Sequence, residues 1–387
     1  MSSNVAALAV LAVSGAAVAQ STVTISGVLD AGYRSVNAPG VDADTSGGFQ
    51  NGTATSAIII SGTEDLGGGM RALFRYEINP DFVAGSGFTG AALQNNDTIR
   101  TSNGANGYNF VGVSSAELGA VRFGRLNTAS LAAWGVGSVF GTALGSGYGS
   151  NGNIFTRYSS SVANFNQTAP TRFNGAVEWT SPAINSFTAR VLYVPQVDNV
   201  GGENNATVST LAGSNRAGVT DIGLAYNKGP LNVQFAQQKH SYGANVVSAI
   251  ANPGSNRAVN TDYTLNTVAA NYTMGATTVY GAMWTEKAAA TATNYAGGYN
   301  NAGNMIGVKH VMGATSLMAS MGNSNDKATG GSNIDRKVAG LGVDYALSKR
   351  SNLWARYETR DANKNSAADT SAAGVTKTMA VGVRHTF

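Results

Sequence analysis

Arginine is the residue type best placed to do chemistry in this chain. Between Leu118 and Val177 there is no Asp or Glu, yet Arg122, Arg125, Arg157 and Arg172 all fall in that interval. A stretch with one sign of charge enriches the opposite sign. Two unit charges about 4 Å apart interact by roughly 1 kcal/mol in bulk water and about 4 kcal/mol at an effective dielectric of 20. Salt at physiological strength screens this beyond about 8 Å, so the pull is a bias and not a gate. Arg34, Arg71 and Arg75, the last two close to Glu77, extend the basic set.

Other chemistries find no constellation. The three histidines, His240, His310 and His385, form no H-E-x-x-H pair. Ser324-Asn325-Asp326-Lys327 matches S-x-x-K but falls in an expected loop. Gly145-x-Gly147-x-Gly149 lacks the strand and helix that a nucleotide loop needs. With no Cys there is neither a disulfide framework nor a thiolate metal site, and no cofactor or metal is implied. The net charge of +4 is small and dispersed, which argues against nucleic acid as a partner.

The elements that must carry these arginines are strands. From Thr22 the chain alternates, with Thr24, Ser26, Asp30 and Arg34 on one face and Val23, Ile25, Leu29, Ala31 and Tyr33 on the other. The same period of two returns in Leu231–Phe235 and in Met379–Arg384. Register puts Arg34 with Asp30. It groups Arg71, Arg75 and Glu77 opposite Phe74 and Tyr76, and sets Arg122 opposite Val121 and Phe123. Strict alternation sends Arg125 to the other face unless a bulge or kink intervenes at Gly124.

What separates the strands is equally patterned. Short turns read at Asp65–Gly68, Glu117–Gly119, Ser181-Pro182, Asn227–Pro230, Met274-Gly275, Met312-Gly313 and Leu347–Lys349. They alternate with long segments rich in Asn, Gly, Ser and Ala, such as Asp198–Asn215, Ser241–Asn260 and Lys287–Asn301. The alternation predicts about sixteen antiparallel strands with all long loops at one rim, the plan of a transmembrane β-barrel. Closure follows from physics, because an open edge in hydrocarbon would leave backbone groups unpaired at several kcal/mol each. Past Ala19 no run of about 18 apolar residues occurs, so no helix would span a membrane. Aromatic residues on the apolar register, among them Tyr33, Phe74, Tyr76, Trp179, Phe187 and Tyr193, fit interfacial girdles.

Residues 1–19 read as a signal peptide: Val5–Ala19 is small and apolar and ends Ala17-Val18-Ala19, leaving one domain over 20–387. Met1–Asn4 lacks the usual basic residue, which fits a start codon assigned a few residues late.

Four motifs carry a family resemblance. Gln20–Gly32 is similar to the first strand of trimeric Gram-negative general porins, and Gly62–Gly69 resembles their G-x-E-D-L-G-x-G turn. Arg122–Asn127 resembles the strand entering their constriction loop, and Gly382–Phe387 resembles their G-x-R-H-x-F terminus. The resemblance implies a homotrimer of sixteen-stranded barrels in the outer membrane, passing small hydrophilic solutes, in contact with outer-membrane lipid and lipopolysaccharide. It also implies a third loop, about Leu126 to Tyr158, folded into the lumen, with Arg125 in the pore wall and Phe387 as a signal to the outer-membrane assembly machinery. In the family that loop supplies acids opposite a basic wall; here it has none, so an anion bias is expected. The loop also departs from the pattern, with Ala143–Gly149 where a P-E-F-G-type stretch is common.

Two rivals share the strand pattern. A substrate-specific channel would set aromatic residues along its lumen, and Trp354, in register with Arg356, Glu358 and Arg360, is the residue that points that way. A secreted β-rich adhesion or structural protein would need no detergent.

Overall fold

The computed structural model describes residues 21–37, 48–52, 55–80, 83, 107–148, 172–197, 217–242, 263–288, 299–326, 335–362 and 374–387. The expected signal peptide, residues 1–19, and Arg157 lie outside them.

The chain forms β1 (Thr22–Asn37), β2 (Gly48–Asn51), β3 (Ala57–Gly67), β4 (Met70–Ile78), β5 (Asn109–Ser115), β6 (Gly119–Asn127), α1 (Ala129–Gly137), β7 (Arg172–Thr180), β8 (Phe187–Val197) and β9 (Ala217–Lys228). It continues with β10 (Leu231–Tyr242), β11 (Tyr263–Met274), β12 (Thr277–Ala288), β13 (Tyr299–Met312), β14 (Thr315–Asp326), β15 (Arg336–Ala346), β16 (Ser351–Ala362) and β17 (Gly374–Thr386). Apart from β2 and β3, which both pair with β1, each strand pairs antiparallel with its sequence neighbours, and β1 pairs with β17. The result is a closed sixteen-stranded antiparallel barrel. The extra segment is β2, which pairs with Ala31–Arg34 of β1 while β3 pairs with Thr22–Val28. The two are one barrel strand interrupted at Asp30, whose backbone bonds instead to Ser56 and Gly52.

Closure is completed by the last residue. The N–H of Gly27 donates to the Phe387 carbonyl at 3.0 Å and the N–H of Phe387 donates back at 3.1 Å. Six of the seven expected tight turns are where the sequence put them; between β7 and β8 the turn falls at Asn185-Ser186, both at positive φ and flanked by the Ile184–Phe187 backbone bonds, a few residues past the expected Ser181-Pro182. Within strands the faces alternate as a barrel requires. In β15, Arg336, Val338, Gly340 and Gly342 are buried, and Lys337, Ala339, Leu341 and Val343 are exposed. The exposed face carries the large apolar side chains, Leu341 at 57% and Phe123 at 53% exposure, which is the inverse of a water-soluble domain.

The segment expected as an irregular loop contains a helix. Thr128 caps it, its Oγ1 accepting the N–H of Leu131 at 3.2 Å. The sequence A-S-L-A-A-W-G-V-G has no polar stripe. Most of the helix is buried inside the barrel, so no stripe is needed.

Candidate pore constriction

From Thr128 to Tyr148 the chain runs along the inside of the barrel, fastened to one half of the wall. α1 packs against β9 to β13. At its start, Asp221 of β9 accepts the N–H of Ala129 and the Ser130 hydroxyl, the latter at 3.3 Å. Anionic oxygen at a helix N-terminus is the arrangement the exposed N–H groups favour. Asn271 of β11 donates to the Val136 carbonyl at 3.0 Å. Further on, Ser320 of β14 donates to the Gly145 carbonyl at 2.7 Å, and Arg360 of β16 to the Tyr148 carbonyl at 3.2 Å. Glu358 of β16 accepts the N–H groups of Gly145 at 2.8 Å and Gly147 at 3.0 Å.

The wall beneath is cut to fit. A Cβ on Gly340 would lie 2.2 Å from the Gly145 carbonyl oxygen, so only glycine lets the backbones approach so closely. Trp134 packs edge-on to Trp284 with ring centroids 5.4 Å apart, anchoring α1 in a cluster with Ala133, Ala236, Leu265, Ala269 and Ala282. Among the described residues, these contacts of 128–148 with the barrel fall mainly on β9 to β16.

The other half of the wall carries Arg75, Arg122 and Arg190. Arg75 binds Glu77 at 2.6 Å. Arg122 binds Glu178 at 2.8 Å, and Arg190 of β8 binds the same carboxylate and the Asn127 carbonyl. Glu178 is 1% exposed, while the side chains of Arg122 and Arg190 keep 22% and 19% of their surface open. Two guanidiniums therefore share one acid, and this group retains net positive charge. The acids come from the wall itself. Glu178 stands just past the acid-free interval, so the imbalance there is smaller than the interval alone implies.

The remaining expected residues spread along the wall. Arg34 is opposite Ala380 of β17, and Arg71 lies exposed beside the first turn, opposite Asp65. Arg172 opens β7 opposite Asn127. Arg125 donates to Asn174 at 2.8 Å, and the β6–β7 register breaks between Gly124 and Leu126, where β7 carries an extra residue. Gly175, at φ +61°, takes up that bulge. The break is at the expected Gly124, with the extra residue on the neighbouring strand.

Arg190 was missed in sequence because its partnership with Glu178 exists only through the β7–β8 register. Two aromatic residues were missed as well. The Arg75 guanidinium lies 5.7 Å from the Tyr108 ring centre and that of Arg122 lies 5.4 Å from the Phe110 ring centre, with the two rings 4.9 Å apart. Trp354, in contrast, is not an open lumen aromatic. It is 4% exposed, its ring packs over Gly32 and Gly382, and its Nε1 donates to Asp30 at 2.8 Å. Among the described residues no group of His, Asp and Glu is arranged to hold a metal ion.

Comparison with known proteins agrees with this architecture. The chain is 33% identical over 186 residues to outer membrane porin protein 32 of Delftia acidovorans, a match spanning 43% of this chain and 48% of that one. It is 26% identical over 405 aligned positions to an outer membrane porin protein of Bordetella pertussis, covering 96% of each. An anion-selective porin from Comamonas acidovorans superposes with a TM-score of 0.69 at 21% identity, over 95% of this chain and 100% of the other. An outer membrane protein of Vibrio cholerae, in trimer form, gives 0.63 at 15% identity, over 95% and 99%. The Gram-negative porin profile matches residues 5–375. A closed barrel with apolar residues outside, charged residues inside and a loop folded along its inner wall is thus accounted for: the chain belongs to the Gram-negative porin family and forms a channel in the outer membrane.

Proposed function

We propose that this channel prefers anions among the small hydrophilic solutes it passes, and that Arg34, Arg71, Arg75, Arg122, Arg125, Arg157, Arg172 and Glu77 line its path, joined by Arg190. One observation carries the reading. Arg122 and Arg190 share the single carboxylate of Glu178, on the half of the wall that the described loop residues leave uncovered. A narrow, low-dielectric throat magnifies such an excess. The Comamonas relative is described as anion-selective, which supports the same sign here.

The same reading assigns residues 1–19 to an export signal and assembles the barrel as a homotrimer, the form in which the Vibrio relative is described. It takes Phe387 as part of the signal read by the outer-membrane assembly machinery, and lipopolysaccharide as a neighbour of the barrel. Phe387 joins the first strand through its own backbone.

The chain has no Cys, so single cysteines report without interference. Arg75→Cys, Arg122→Cys and Arg190→Cys channels in a planar bilayer should lose current stepwise when an anionic, water-soluble thiol reagent is added. Phe123→Cys, which faces outward, should not respond. Equal reactivity at 122 and 123, or none at 75, 122 and 190, would remove these residues from the path.

A further inference from the structure

On the inner wall at β4, β5 and β6, two guanidiniums and two aromatic rings make one run of contacts, the two rings tilted at 50° to each other. The order is Arg75, Tyr108, Phe110, Arg122, with separations of 5.7, 4.9 and 5.4 Å. Tyr108 and Phe110 rest on the cluster of Leu126, Phe173, Ala176, Leu192, Val194 and Val219, which fixes their planes. Each guanidinium is bound by a carboxylate, Arg75 by Glu77 and Arg122 by Glu178, and sits over an aromatic ring. Neither is sealed in, since 29% of the Arg75 side chain and 22% of the Arg122 side chain remain open.

An arginine held this way differs from a lysine or a free arginine as an anion attractor. It is held by a carboxylate and a ring together, and it offers both charge and a flat polarizable surface, because guanidinium stacks on aromatic faces as well as binding carboxylate. A small aliphatic carboxylate uses only the charge. A flat ring bearing a carboxylate can pack against the exposed part of a guanidinium and the neighbouring ring, while its charge meets the adjacent cation. Arg190, which shares Glu178 with Arg122, puts a second cation in reach of such a group.

We propose that Arg75, Tyr108, Phe110 and Arg122 form a subsite in the channel that retains ring-bearing planar carboxylates over aliphatic carboxylates of the same charge. The proposal rests on the reading that these arginines face the water path.

The test uses the intact protein in a planar bilayer, with chloride current measured as benzoate, cyclohexanecarboxylate or acetate is added. Benzoate should depress the current at a concentration about three-fold or more lower than acetate does. Cyclohexanecarboxylate, apolar and charged but not flat, should behave like acetate. In Tyr108→Leu and Phe110→Leu channels, which keep apolar bulk and lose the rings, benzoate should fall into line with acetate. Assembly of each variant is checked by heat-modifiable gel migration, and the wild-type comparison of the three anions decides the matter even if a variant fails to assemble. Equal action of benzoate and acetate on the wild type overturns the subsite, as does an unchanged benzoate preference in assembled Leu variants. The zero-current potential in a potassium chloride gradient, recorded on the same channels, reads the anion bias alone. A normal bias with no benzoate preference sinks only the subsite, and a missing bias sinks the reading beneath it.

Discussion

Glu358 on β16 accepts the backbone N–H of Gly145, a residue 213 positions earlier in the chain. The same oxygen takes the N–H of Gly147, and Arg360 binds the other oxygen of the carboxylate. One buried acid thus gathers the far end of the inward loop as Asp221 gathers its start. Replacing Glu358 by Ala strands two buried N–H groups and takes one of its acceptors from Arg360, a loss of about 1–3 kcal/mol for each buried N–H stranded. Glu358→Ala barrels should convert to the slow-migrating, unfolded form at a lower temperature on gels, and their single-channel current should be noisier. A quiet current and unaltered heat stability would show that the loop does not depend on this pin.

Glu178 separates charge from structure. Removing its charge frees two cations, while removing either cation leaves the acid better matched. Glu178→Gln should shift the zero-current potential toward anions, and Arg190→Gln should shift it toward cations. Each shift corresponds to about a two- to five-fold change in permeability ratio, the size expected for one charge a few ångströms from a passing ion. Shifts of the same sign would mean that these groups act through loop position and not through their charge.

Gly340 allows the loop backbone to touch the wall. Gly340→Ala places a carbon against a backbone oxygen and not against a movable side-chain tip, so overpacking of about 1–3 kcal/mol is expected. Heat-modifiable migration should again drop, whereas Gly48→Ala, where an added Cβ meets nothing within 4 Å, should leave it unchanged. Equal behaviour of the two would contradict the fit.

Trp354 tests the substrate-specific reading. Trp354→Phe removes the bond to Asp30 and keeps the ring over Gly32 and Gly382, so about 1 kcal/mol of stability should be lost. Permeation of sugars and of small anions should stay as it was. A change in which solutes pass would make this side chain part of the path after all.

The strands and six of the seven tight turns were legible because period-two alternation and turn residues are local signals; the seventh sits at Asn185-Ser186, where non-glycine residues adopt positive φ and give no such signal. α1 was not. Its residues face apolar neighbours on most sides, so Ala129–Gly137 shows no amphipathic period and reads as one more Gly-rich stretch. The break between β2 and β3 was equally hidden, because it depends on Asp30 turning its backbone to Ser56 and Gly52 rather than on any breaker in β1. The arginines were legible as a charge pattern, but only one of their two acids was. Glu77 lies two residues from Arg75, whereas Glu178 meets Arg122 only across a strand pair. Arg125 shows the limit of counting, since its neighbours fix the bulge on β7 and not on its own strand.

Charge at the wall is the centre of this account, and a salt-gradient recording measures it most directly. With potassium chloride more concentrated on one side of a planar bilayer, the wild-type channel should settle at a potential of the anion-preferring sign. Arg75→Gln/Arg122→Gln/Arg190→Gln channels should move toward zero or beyond it. A wild-type potential of the cation-preferring sign, or one that the three substitutions leave untouched, would contradict it.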